Sequence, residues 1–290
     1  MNSENNLFKK LNISAKLYKR SINKMSINYL VAGKGNPLIL LHGAGIGWGQ
    51  WYKNIPYLSR HFKVYAIDLP GSGNSTKINY KNLNFDKHVV DTIDLFIKDL
   101  NIKNPHIVGH SMGAWIGLKL AIKKQHAKLK LVLANPLGLT DRMPFHQIPL
   151  AFPYVAQVLS KTIMRPTKKN VSSFLKDVLH KKNVVSAEFV NYVHEAINRG
   201  YINHPLILIS RIAGYTKVKK DFIFIEEFSK MKNDILIIAG EYDPIVNIKQ
   251  LKKSVQLNSK AEIKIFSDVG HVSPIESADL FNKTIKQFLA

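Results

Sequence analysis

Along the chain, short runs of Val, Ile and Leu alternate with longer segments whose apolar residues recur at helical spacing, the signature of strands interleaved with amphipathic helices. The strand-like runs are "INYLVAG" (27–33), "PLILLHG" (37–43), "FKVYAIDLPG" (62–71), "PHIVGHS" (105–111), "KLKLVLANP" (128–136), "ILIIAGEYD" (235–243) and "AEIKIFSDVGH" (261–271). Their nearly continuous apolar content suits parallel strands buried on both faces. The first two flank "GKGN" and read as neighbours joined by a glycine-rich turn. Helices are predicted over 85–100, directly after Ser111, and over 277–290. The fold class is therefore α/β. Open parallel sheets bind ligands beyond the carboxyl ends of their strands, so those ends are where chemistry is sought.

One region breaks the alternation. From 140 to 221 no run reads as a buried strand, and stretches such as "HQIPLAFPYVAQVL" and "SAEFVNYVHEAI" are amphipathic. A structureless loop of that length is foreign to a compact domain, so a helical insertion is predicted, with "FIEEFSKMK" as the helix that returns to the sheet. Two prolines in "HQIPLAFPYVAQVL" argue against one long helix there. The stretch reads as a pocket roof, with a membrane-touching lid as the alternative.

Composition narrows the chemistry. With no cysteine among 290 residues, disulfides, thiolate nucleophiles and cysteine-ligated metals are excluded. No segment has the roughly 18 uninterrupted apolar residues of a membrane span, and the charged N-terminus lacks a signal-peptide core. A cytoplasmic protein is expected. The net charge of +22 would attract polyanions. Yet only six of the 42 basic residues are Arg, and the Lys excess is scattered among Asn and Ile, residues that share A/T-rich codons. A nucleic-acid partner is not expected, because no aromatic interleaving or nucleic-acid module accompanies the charge. The densest basic stretch, 161–182, remains a candidate for contact with an acidic substrate or an anionic surface, against the plainer reading of a solvated helix face.

The candidate chemistry centres on "GHSMG". Ser111 stands between two glycines where a strand run meets a predicted helix, a sharp turn that leaves its hydroxyl at the sheet edge. A serine hydroxyl needs a base, and among eleven histidines His271 is best placed, after a strand and before the last helix. Asp243 ends the preceding strand and would orient that base. Ser111, Asp243 and His271 then all lie at strand ends in the chain order Ser, Asp, His. A tetrahedral intermediate needs donors for its oxyanion, and the backbone N–H groups of Ala44, in "LLHGAGIGWGQW", and Met112 are the candidates. Asp68 reads as the cap of the glycine-rich turn after it, Asp141 as a weaker rival acid, and His110 as a packing residue. His42 shapes the oxyanion segment. Trp48 and Trp115 are candidates for substrate binding, with burial in the core as the alternative.

These motifs resemble the α/β-hydrolase superfamily from about residue 27 to the C-terminus: "HGAG", "DLPGSGNS", "GHSMG", "GEYDPIV" and "GHVSPIE". The resemblance implies a mostly parallel eight-stranded sheet flanked by helices, with core segments 1–139 and 222–290 and a substrate-selecting helical cap, 140–221, after the sixth strand. It also implies a Ser111–His271–Asp243 triad, no metal or organic cofactor, and a small-molecule acyl substrate. Carboxylesterase-like cleavage of an ester or related acyl bond is the first expectation. "HGAGIGWGQW" is similar to the oxyanion segment of meta-cleavage-product hydrolases, which break carbon–carbon bonds, although those enzymes usually carry Trp after the histidine and this chain has Val272. A non-catalytic ligand-binding role for the same scaffold is the third reading.

Overall fold

The runs of Val, Ile and Leu form the middle of an eight-stranded sheet. The computed structural model describes residues 3–79, 83–124, 129–199, 205–214 and 216–290. Lys128, where one predicted strand run begins, lies outside the described residues, as do 200–204 and 215 of the predicted insertion. The strands are β1 (Ala15–Ile22), β2 (Met25–Ala32), β3 (Pro37–Leu41), β4 (Lys63–Ile67), β5 (His106–His110), β6 (Leu131–Ala134), β7 (Ile235–Gly240) and β8 (Ala261–Phe266), in the spatial order β1-β2-β4-β3-β5-β6-β7-β8. From β4 to β8 every pair is parallel, whereas β1 and β2 run antiparallel to their neighbours.

Successive side chains of a strand point to opposite faces, and both faces are covered here. Ile39, Leu41, Ile107, Leu133 and Ile237 join one apolar cluster, while Leu38, Leu40, Val108, Val132 and Leu236 join the other. Each such side chain, fully buried, contributes roughly 1.5–3 kcal/mol. The helices are α1 (Ser3–Lys10), α2 (Ile55–Leu58), α3 (Asp91–Asp99), α4 (Met112–Lys124), α5 (Pro153–Lys161), α6 (Lys168–Val178), α7 (Ala187–Arg199), α8 (Pro205–Ile212), α9 (Ile225–Ser229), α10 (Ile248–Gln256), α11 (Ser273–Glu276) and α12 (Ala278–Leu289). The first face packs under α3, α4, α9 and α10 through Phe96, Leu118, Phe228 and Leu251. The second packs under α1, α2 and α12 through Leu7, Leu58 and Phe281.

The predicted pairing of 27–33 with 37–43 is overturned, because β4 lies between β2 and β3. "GKGN" is not a hairpin turn. It carries the chain past the start of β4, where Lys63 N donates to Asn36 O at 3.0 Å. The approach is so close that a Cβ on Gly33, at φ +78°, would stand 2.2 Å from Ser59 O. β3 then enters parallel to β4 on its far side.

Between β6 and β7 the described chain is helical: a 3₁₀ segment (Phe145–Ala151), α5, α6, a short 3₁₀ turn (Lys182–Val184), α7 and α8. Pro153 opens α5 and Pro149 sits in the 3₁₀ segment, so the amphipathic stretch breaks in two as its prolines require. An isolated bridge between Arg142 and Lys217 draws the ends of this segment together, and a second, between Ala213 and Val218, closes a local turn at its C-terminal end.

One tight crossing lies at the start of α4. A Cβ on Gly113 would stand 2.1 Å from Leu41 O and 2.7 Å from His42 O, both backbone atoms with no means of retreat. Gly113→Ala is expected to cost about 3 kcal/mol or more, lowering Tm by roughly 6–12 °C. Gly117→Ala in the same helix meets only the Ile107 methyl, at 3.1 Å, and should melt within a few degrees of the parent. Thermal denaturation of the two variants side by side checks the difference.

Candidate active site

β5, β6, β7 and β8 are consecutive in the sheet, and the chain just past their carboxyl ends supplies Ser111, Asn135, Asp243 and His271. The backbone ladder continues into these ends: Ser111 N donates to Ala134 O at 2.9 Å, Asn135 N to Ile238 O at 2.7 Å, and Tyr242 N to Val269 O at 2.9 Å. Ser111 has φ +51°, a left-handed conformation that a non-glycine residue adopts only when its surroundings enforce it. The enforcement is the direct passage from β5 into α4, which puts Ser111 at the bend.

Asp243 and His271 meet. His271 Nδ1 lies 2.9 Å from Asp243 Oδ2 and 3.1 Å from Oδ1, leaving Nε2 as the ring nitrogen for proton exchange. Burial pushes the Asp243 carboxyl up, but the facing His271 and the hydrogen bonds from Val246 N and Asn135 outweigh it and hold the group below its ordinary value. Asp243 Oδ1 accepts from Ile245 N at 2.7 Å and Val246 N at 3.0 Å, while Oδ2 accepts from Asn135 Nδ2 at 2.8 Å. His110, the residue before Ser111, reaches this pair. The His110 ring lies 5.0 Å from the His271 ring, and its Nε2–H donates to the His271 carbonyl at 2.8 Å. No hydrogen bond joins Ser111 Oγ to His271 Nε2 among the described residues; catalytic contacts of this kind commonly close only when substrate is bound.

The segment after β3 is held by its own backbone. Gly43 N donates to Gln50 Oε1 at 2.9 Å, Trp48 N to Asp68 Oδ1 at 2.6 Å, and Gly49 N to the Tyr192 hydroxyl at 3.1 Å. Leu69 N donates to His42 Nε2 at 3.0 Å, so the His42 proton sits on Nδ1, which donates to Gly43 O at 2.6 Å. Burial lowers the pKa of His42 to about 4 and of His110 to about 3, which keeps both neutral near pH 7. The Ala44 and Met112 amides have no acceptor among the described residues, and Ala44 packs against the cluster that contains Met112.

The remaining predicted residues are placed as follows. Asp68 caps its turn by accepting from Asn74 N at 2.8 Å, and it also fastens the segment after β3 through Trp48 N. Asp141 lies away from His271, paired with Lys217 at 2.8 Å and with Gln250. Trp48 and Trp115 belong to the core: Trp48 donates its indole N–H to Glu4 at 2.8 Å between Phe8 and Tyr192, and Trp115 packs with Phe85, Phe222 and Phe224. Both are fully or almost fully buried, which fits packing rather than substrate contact.

Asn135 and Glu276 escaped the sequence reading. Asn135 follows β6 as Ser111 follows β5, the one signal that could have found it; it steadies Asp243, donates to Gly270 O and accepts from Ser273 Oγ at 2.7 Å. The Glu276 carboxylate accepts from the backbone N–H groups of Gly270, Val272, His180 and Lys181 at 2.8–3.1 Å, clamping the His271 loop to the end of α6.

This order of strands and site residues meets an independent test in the comparison with known proteins. The family model for the alpha/beta hydrolase fold matches residues 36–278. The chain is an α/β hydrolase. Its sequence is 27% identical over 286 residues to the 2-hydroxy-6-oxo-6-phenylhexa-2,4-dienoate hydrolase of Comamonas testosteroni, an alignment covering 95% of each chain. Among solved structures it is similar to a bacterial membrane phospholipase A (TM-score 0.81, 19% identity, 99% of this chain and 90% of that one). It is likewise similar to a carboxylesterase of Bacillus subtilis (TM-score 0.78, 15% identity, 99% and 96%). At these identities the structural likeness speaks for the fold.

His42 and His110 of this α/β hydrolase make a pH prediction. Because their folded pKa values lie below that of an unfolded histidine, the unfolded chain takes up protons first as pH falls below about 6.5, and stability drops. Asp68 acts with the opposite sign, since burial lifts its carboxyl to about 7. A difference measurement isolates one group. His110→Gln, whose amide can still donate to the His271 carbonyl, should lose stability between pH 6 and 5 less steeply than the parent, by about 1.4 kcal/mol per pH unit. Urea unfolding at several pH values reads the slope directly.

Proposed function

We propose that this α/β hydrolase is a serine hydrolase that cleaves a carboxylic ester or related acyl bond of a small to medium apolar substrate. Ser111 Oγ attacks the carbonyl carbon as His271 Nε2 takes its proton, and Asp243 stabilises the imidazolium that forms. The Ala44 and Met112 amides, both without other acceptors among the described residues, receive the oxyanion. His271 then protonates the leaving group as the carbonyl–oxygen bond breaks. A water deprotonated by the same histidine releases the acid from the acyl-enzyme. The core is 1–139 with 222–290, and 140–221 is the cap that shapes the pocket.

The observation that carries this reading is the His271–Asp243 pair at 2.9 Å, with its Nδ1 occupied and its carbonyl gripped by the residue preceding a positive-φ serine. That arrangement is what an acyl-transfer base requires and what a packing histidine does not. The relationship to the Comamonas dienoate hydrolase favours a second reading, carbon–carbon bond hydrolysis by the same three residues.

The parent protein should be labelled by a fluorophosphonate probe and should turn over p-nitrophenyl esters. Ser111→Ala should abolish labelling and lower kcat by at least about 10³-fold. Asp243→Asn, which leaves the histidine in the wrong tautomer, should lower kcat by roughly 10³–10⁴-fold. Folded protein that ignores the probe, or a Ser111→Ala variant that retains the activity, would remove the proposal. A comparison of kcat/KM for a hydroxy-oxo-dienoate and for the esters decides between the two bonds.

A further inference from the structure

Helix α5 has one face it uses and one it does not. Ala156, Leu159 and Ser160 turn inward, where Ala156 and Leu159 pack with Leu206 and Ile207 of α8. The outward face carries Tyr154 at 78% exposure, Val155, and Val158 at 58%, and Ile163 follows just beyond the helix at 78%. An outward helix face is ordinarily polar. Of the ten large hydrophobic side chains exposed on the described residues, five fall between 152 and 163. They form a concentrated patch rather than the usual scatter.

The charge around the patch is predominantly positive. From 142 to 187 the chain holds eight Lys and Arg but a single acidic residue, Asp177. Lys161, Arg165, Lys168 and Lys169 are exposed on α5, on α6 and in the turn between them. Ile163 also lines a cavity of about 190 Å³, with Met164, Phe174, Asp177, Ile197 and Leu206 among its other walls. Exposed apolar side chains rimmed by cations are how an interfacial helix meets lipid: the apolar groups enter the boundary between headgroups and acyl chains, and the cations meet phosphates. A second copy of this chain would bring the same basic rim against itself, on a molecule already at +22. A nucleic acid would answer the charge and leave the aliphatic side chains without a partner.

We infer that the outward face of α5, with Ile163, docks on the surface of an anionic lipid bilayer. Tyr154, Val158 and Ile163 enter the interfacial layer, and Lys161, Arg165, Lys168 and Lys169 bind the lipid phosphates. The docking rests on residues outside the triad and stands or falls apart from the bond the enzyme cleaves.

Co-sedimentation with vesicles of phosphatidylcholine, alone and mixed with phosphatidylglycerol, tests it. The parent should partition onto the mixed vesicles and far less onto the neutral ones. The triple variant Tyr154→Ser, Val158→Ser, Ile163→Ser should bind the mixed vesicles about tenfold more weakly or worse. Its Tm and its hydrolysis of a soluble ester should match the parent, since all three side chains already face water. Absence of partition by the parent would overturn the inference. So would equal partition by the triple variant, which would reduce the effect to charge adsorption. Self-association of the parent that the triple variant abolishes, measured by sedimentation velocity, would assign the patch to contact between copies instead. Loss of ester turnover in Ser111→Ala with vesicle binding intact keeps the two proposals separate.

Discussion

Ser111 is held in a left-handed backbone conformation, and the elements around it are arranged so that it has no alternative. Strain of this kind costs on the order of 1–3 kcal/mol and persists only where packing over-determines it. Here the packing is the near-contact of the α4 backbone with the end of β3, where Gly113 leaves no space for a side chain against Leu41 O. Around the bend, Ser111 N remains in the sheet ladder and Ala114 N and Trp115 N turn back to Ser111 O. The backbone of Ser111 is thus fixed on both sides, so its position does not depend on a flexible loop.

The same rim then fixes His271 without relying on its ring alone. His271 N donates to Val178 O, its carbonyl accepts from His110, and the amides on either side of it donate to Glu276. Asp243 is met by two backbone amides and Asn135 before it meets the imidazole. Buried polar groups left unpaired cost about 1–3 kcal/mol each, so pairing these loop groups leaves few competing arrangements of the loop. Pre-organisation of this kind lets the imidazole change charge during a reaction without the surrounding chain reorganising.

Much of this was legible in the sequence because it follows from periodicity and chain order. The central strands declared themselves through unbroken apolar runs, and the strand–serine–helix passage located the bend. β1 did not, because its side chains are mostly exposed and it lies at the sheet edge, where only one neighbour constrains its composition. The misplaced pairing of β2 and β3 has a related cause: a glycine-rich connection looks the same in a sequence whether it reverses the chain or carries it past an intervening strand. Asn135 and Glu276 were invisible for another reason. Their roles rest largely on hydrogen bonds to residues from 95 to 138 positions away, and no local pattern encodes such a distance.

The helical insertion is also more firmly attached than an inserted segment needs to be. Tyr192 of α7 accepts from Gly49 N in the loop after β3, and Glu276 binds His180 N and Lys181 N at the far end of α6. At the N-terminus, α1 closes the circuit: Lys10 pairs with Glu188 at 3.0 Å, and Glu4 accepts from Trp48 Nε1 and Asn28 Nδ2. The insertion is therefore tied through α6 and α7 to the loops that carry His271 and Ala44, while α5 packs in a small apolar cluster with Leu206 and Ile207 of α8, whose Leu208 and Ile212 join the main core. Changes on the outward face of α5 can alter what the molecule touches without disturbing a buried contact. Changes at α6 or α7 cannot, since their buried contacts end on the backbone of the site.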